Sequence, residues 1–194
     1  LREVAARVIT TQIVSALRHL ADQPQPIMRC DPKPGSILLH SELPSRLEVT
    51  VADFGRSKAV AQTAGADEPC VELPSPGTGT LRHLPPECFE PAPPIDATVA
   101  IWAAGIVFYR MLDGRRPLVE GETQSRIGHE RLVVHRARQL EFAERSAVSP
   151  QAEDAIRRCL SYRAADRPDI IALSGDAYVR PKKRSRSTAE RPST

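Results

Sequence analysis

The run "ATVAIWAAGIVFYRML" at residues 97–112 is apolar on every side. A helix of that character has to be enclosed by other protein or by lipid. It is shorter than the roughly 20 residues that a bilayer requires, and Arg110 interrupts it near its end. It is therefore read as the buried central helix of a folded domain and not as a membrane span. Asp96, after Pro93 and Pro94, starts it; Gly114 and Pro117 end it.

The rest of the chain has to supply the enclosure. At 194 residues it is long enough for one domain with a sizeable core. Aromatics make up only 4%, so that core rests on Leu, Ile, Val and Ala. Residues 2–21 read as an amphipathic helix, with Val4, Val8, Ile9, Ile13, Ala16, Leu17 and Leu20 at three- and four-residue steps and Pro24 and Pro26 beyond its end. Further helices are expected over 122–139, from Pro150 after Ser149 to Leu160, and near 168–178. "SILLH" (36–40) and "LEVTVA" (47–52) read as a small hairpin. Residues 56–86 read as a long loop, of the kind that is functional or mobile. From residue 180 onward the chain has nothing to bury and reads as a disordered tail.

Charge and cysteine content exclude several classes. Residues 180–192 carry six basic side chains against Glu190, a surplus of five, so the remainder of the chain is at −2 within a net +3. The body has no general basic field, and nucleic-acid contact is expected only through the tail. Within that tail "PKKRSR" fits a nuclear-import patch as well as a solvated charge run. Cys30, Cys70, Cys88 and Cys159 have neither C-x-x-C nor paired-His spacing, which speaks against a zinc site or a disulfide framework. Reduced thiols in an intracellular compartment are the simplest expectation.

Short motifs then follow in a fixed order: "CDPKPGS" (30–36), "DFG" (53–55), "GTGT" (77–80), "PPE" (85–87), the buried helix with Trp102 and Gly105, and "DRP" (166–168). Each alone is weak; the order and spacing together are specific. The chain resembles the C-terminal lobe of a protein Ser/Thr kinase, and within that family the Tousled-like kinases. The segments that carry the closer likeness are "DPKPGSILL", "VADFGRSK", "GTGTLRHLPPECFE" and "IRRCLSYRAADR".

The resemblance implies a kinase-like fold, here a mainly α-helical lobe over residues 1–180 with a small β-hairpin, followed by the basic tail 181–194. It implies ATP and Mg2+ as cofactors and a protein substrate phosphorylated on Ser or Thr. Phosphoryl transfer asks for positioning and charge neutralisation more than covalent help. By resemblance Asp31 is the base that takes the substrate hydroxyl proton, and Lys33 neutralises the transferring phosphate. Asp53 is a metal ligand and Ser36 a weaker one. Thr80 belongs to the substrate platform, and Glu87 pairs with Arg167 in a structural ion bridge. Tousled-like kinases are chromatin-linked nuclear enzymes with N-terminal coiled coils. The resemblance thus implies a nuclear location and chromatin-associated protein partners, although no heptad pattern occurs here.

Departures from the family pattern cluster at the catalytic loop. Ser36 stands where the family has a metal-binding Asn, Arg29 where it has His, and Cys30 where many members have Arg. Ala100 replaces an Asp of the buried helix that accepts hydrogen bonds from the loop backbone; losing such an acceptor costs about 1–3 kcal/mol per donor. Pro32 fixes its own φ and biases Asp31 away from the α region. Neither a G-x-G-x-x-G stretch nor a V-A-I-K lysine occurs, so the N-terminal lobe is expected to be absent from these residues and the chain alone to be inactive. Two functional readings follow: a segment of an active kinase domain, or a pseudokinase-like interaction module.

Overall fold

The central helix exists as expected, as α2 (Thr98–Asp113), and it is buried continuously from Val99 to Tyr109. In the computed structural model, the residues described are 1–25, 27–29, 33–40, 47–53, 57–59, 81–90, 96–143 and 148–180. The calls on Cys30, Asp31, Pro32, Thr80 and the tail 181–194 lie outside them, as does the side chain of Arg29.

Two apolar clusters flank α2. On one side Ala100, Ala104 and Val107 meet Ile9, Ile13 and Leu17 of α1 (Glu3–Ala21). On the other, Trp102, Ile106 and Phe108 join a larger cluster that reaches Leu81, Leu84, Ile127, Val133, Ile156 and Leu173. Each large side chain fully enclosed in this way contributes roughly 1.5–3 kcal/mol. α5 (Pro150–Cys159) crosses α2 at Gly105, where an added Cβ would stand 2.8 Å from the Cβ of Cys159. Gly114, at φ 78°, ends α2 in the left-handed conformation that glycine adopts without strain.

α1 presents a different face from the one its apolar spacing suggests. Ala6, Ile9, Thr10, Ile13, Val14 and Leu17 are buried, whereas Val4 is 76% exposed. Counting only large apolar residues draws the stripe toward Val4 and Val8; Ala6 and Thr10 complete the true one because small side chains admit close helix packing.

The expected hairpin forms from β2 (Ile37–Leu39) and β3 (Val49–Val51), antiparallel, with Ile37 opposite Val51 and Leu39 opposite Val49. Gln12 of α1 pins its edge: the side-chain amide donates to the carbonyl of Leu47 (2.8 Å) and accepts from the N–H of Val49 (3.0 Å). A second ladder was not expected. β1 (Ile27–Arg29) pairs with β4 (Ser57–Ala59), so residues 57–59 are strand and not part of the long loop. Ser-Lys-Ala carries little strand propensity of its own; pairing with a distant segment supplies the order.

The single helix expected over 122–139 is two, α3 (Gln124–His129) and α4 (Leu132–Arg136). The break is at Arg131, which adopts a left-handed φ of 47° and pairs with Glu90. Apolar periodicity continues through Ile127, Leu132 and Val133, which hides the break. The expected helix near 168–178 shortens to α6 (Ile170–Gly175), capped by Asp169, whose carboxylate accepts from the N–H of Ala172. Beyond it, the backbone carbonyls of Tyr178 and Val179 accept from Arg7 and Thr11, strapping the chain onto α1. No described helix is long and apolar enough to cross a membrane.

Candidate active site

The hairpin brings together two residues that stand 20 positions apart. Before β2, Lys33 is extended and Pro34–Ser36 form one 3-10 turn, with Pro34 at the first position where its missing N–H costs nothing. After β3, the N–H of Ala52 donates to the carbonyl of Ser36 (2.8 Å), which carries the ladder one step past the paired strands. The chain then places Asp53 beside Lys33. Lys33 Nζ lies 3.1 Å from Asp53 Oδ2, with the lysine side chain 31% exposed and the aspartate 53% exposed. Asp53 holds φ at 63°, a left-handed conformation that Asp tolerates better than most residues.

Ser36 is buried, and its hydroxyl faces into the turn. It donates to the carbonyl of Lys33 (2.9 Å) and accepts from the N–H of Lys33 (3.3 Å). The group that the sequence offers as a metal ligand thus closes the turn that carries Lys33. Ala100 lies beneath the hairpin in the apolar cluster of Ile9, Ile13 and Leu17, against which Ile37 and Val49 pack. The floor of the site is hydrocarbon where the resemblance puts a carboxylate.

Glu87 and Arg167 form a second polar centre, away from the hairpin residues in sequence. Arg167 Nη1 donates to Glu87 Oε1 (2.6 Å) and Nη2 to Glu87 Oε2 (2.8 Å). The remaining donors reach Thr98 Oγ1 and the carbonyls of Ser161 and Tyr162. Five guanidinium N–H groups meet five acceptors, which is the condition under which a fully buried arginine is tolerated. Its planar face also covers Trp102, 4.8 Å from the ring centroid. Sequence reading singles out the pair but not Thr98, the two carbonyls or the ring, because those contacts join segments far apart in the chain. The residues that follow Thr80 are held firmly too: Leu81, His83 and Leu84 are buried and Arg82 donates to the carbonyl of Glu122 (2.6 Å).

A partly exposed carboxylate beside an ammonium suits phosphate chemistry: the first attracts a divalent cation, the second an anionic oxygen. Among the described residues no group of three His, Cys, Asp or Glu is placed to hold a metal. An ion at Asp53 would complete its shell with water, phosphate oxygens or residues outside those described, as magnesium commonly does. A separate apolar cleft of about 300 Å³ lies behind the turn, lined by Ile9, Pro34, Ile37, Leu39 and Met111 among others. None of its described lining residues carries a carboxylate.

The sequence matches a known family. Residues 1–179 match the protein kinase domain family, and the chain belongs to that family. It is 41% identical over 182 residues to the serine/threonine-protein kinase TOUSLED of Arabidopsis thaliana, covering 92% of this chain and 25% of that protein. It is 39% identical over 183 residues to human serine/threonine-protein kinase tousled-like 2, covering 92% of this chain and 23% of that one. Human tousled-like 1 is 40% identical over 187 residues, covering 94% and 24%. The chain thus spans about a quarter of the length of these relatives. Protein kinases as a family use ATP and a divalent metal.

Proposed function

We propose that residues 1–180 form the larger lobe of an ATP-dependent, Tousled-like protein Ser/Thr kinase, which transfers the γ-phosphoryl group of ATP to a Ser or Thr hydroxyl of a protein. The observation that carries this reading is the meeting of Lys33 and Asp53 at the mouth of the hairpin. In this reading Asp31 takes the proton of the attacking hydroxyl while Lys33 offsets the charge of the transferring phosphate. Asp53 would hold a magnesium ion, which would supply charge neutralisation at the nucleotide phosphates. Thr80 belongs to the substrate platform, which the Glu87–Arg167 bridge ties to the lobe. The Gly-rich loop and strand lysine that cover ATP in the family do not occur among these 194 residues. Transfer is therefore proposed for a polypeptide that carries both lobes, and not for this chain alone. The same analogy proposes a nuclear location, aided by the basic tail 181–194, and chromatin-associated protein substrates or partners.

A second reading, a pseudokinase-like interaction module, draws support from Ala100, a methyl group in an apolar cluster where the resemblance puts a hydrogen-bond acceptor. Thermal melting of a two-lobed polypeptide with and without Mg-ATP separates the two. A ligand that binds the folded state raises its stability by about 2.7 kcal/mol at a hundredfold excess over Kd. A raised melting temperature accompanied by phosphate transfer supports the kinase reading. An unchanged one at millimolar nucleotide supports the interaction module.

A further inference from the structure

We propose that Lys33 acts as a resident counter-cation for Asp53. The site then admits a single divalent ion, without Ser36 as a ligand, and holds it weakly until a phosphate draws the ammonium away. The inference rests on the reading of Asp53 as the metal-binding carboxylate and specifies how that carboxylate is kept before the ion arrives.

Ser36 supplies the first half of the argument. A hydroxyl has one hydrogen and two acceptor lone pairs. Here the hydrogen goes to the carbonyl of Lys33 and a lone pair takes the N–H of Lys33, in a side chain that is buried. The second lone pair is enclosed with the rest of the side chain, so bringing Oγ out to an ion would disturb both bonds and the Pro34–Ser36 turn that they close. Ser36 is thus a positioning residue. It fixes the backbone from which the ammonium of Lys33 projects.

Asp53 supplies the second half. Its Oδ2 already has an ammonium at 3.1 Å. A magnesium ion binds carboxylate oxygen at roughly 2.0–2.1 Å. An ion at that oxygen would therefore sit against a fixed positive charge, in a pair half open to solvent. Unit charges at such a separation in water change an affinity by roughly tenfold, and a doubly charged ion by more. A phosphate group resolves the conflict, because it accepts the ammonium and bridges the ion. Nucleotide and metal are then expected to enter together, with Lys33 passing from Asp53 to phosphate oxygen.

Binding of Mn2+ to the 194-residue chain without nucleotide tests this, followed by the loss of the free-ion electron paramagnetic resonance signal. Lys33→Met, and Lys33→Gln as a second neutral variant, should bind Mn2+ at least about tenfold tighter than the natural chain, at one ion per chain. Adding Asp53→Asn to Lys33→Met should abolish that gain. Adding Ser36→Ala, or Ser36→Thr in case the alanine variant does not fold, should leave the affinity within about twofold. The fluorescence of Trp102 reports folding in every variant, since it is the one tryptophan and lies in the core. Equal affinity in natural and Lys33-substituted chains, a second ion, or loss of binding on removing Ser36 Oγ would overturn the proposal while leaving the Asp53 assignment intact. A gain that survives Asp53→Asn would overturn that assignment and the proposal with it.

Discussion

Arg167 shows how single residues hold this lobe together. Each of its donors has an acceptor, and its side chain is wholly enclosed. Removing one partner of such a pair leaves a charge buried without compensation, at a cost of roughly 3–5 kcal/mol. Lysine cannot reproduce the fork. Arg167→Met, which removes the charge as well, should therefore lower the midpoint of thermal unfolding by about 6–20 °C for a domain of this size, read by Trp102 fluorescence. Glu3 gives a pH signature. Burial pushes its carboxyl up. The hydroxyls of Ser149 and Tyr178, the N–H of Ser149 and the charge of Arg7 outweigh that and hold it below its ordinary value of 4.5. A carboxyl depressed by folding stabilises fully above its unfolded value, and the contribution fades as pH falls through the folded one. Denaturant midpoints of the natural chain and Glu3→Gln should differ at pH 7 and converge below pH 4.5.

At the scale of elements, Gln12 links α1 to the hairpin and hence to the site. Gln12→Ala deletes both bonds to the Leu47–Val49 edge, at a net cost of about 1–3 kcal/mol. Hydrogen exchange should then quicken at Val49 and Thr50 more than in α2, because only the hairpin loses its anchor. α2 was legible in the sequence because it is apolar all round, and α5 because Ser149-Pro150 is a start signal whose hydroxyl accepts from the N–H of Ala152 (3.2 Å). β4 was not legible, since Ser57–Ala59 is a strand only through β1. The α3–α4 break was hidden by an unbroken apolar period and a left-handed residue that is neither Gly nor Asn. In the site, Lys33, Asp53, Glu87 and Arg167 could be picked out by motif. The turn-closing role of Ser36 could not, because its hydrogen bonds run to backbone that the sequence does not display.

Among the described residues, one helix organises the rest: α2 divides two apolar clusters, one carrying the hairpin and the other enclosing Leu81, Leu84 and Cys88. Lys33 and Asp53 stand partly exposed beside the hairpin that packs on the first cluster, whereas Arg167 is enclosed over Trp102 of the second. We propose that stability and competence are separate properties here, and that competence needs the second lobe. The most direct measurement is phosphate transfer from γ-labelled ATP to a Ser/Thr protein substrate, with magnesium, by a two-lobed polypeptide and by the 194-residue chain. The account predicts transfer by the former, its loss by 10²-fold or more on Asp53→Asn as for other groups that stabilise transition-state charge, and none by the latter. Undiminished transfer by the Asp53→Asn variant, or transfer by the 194 residues alone, would contradict it.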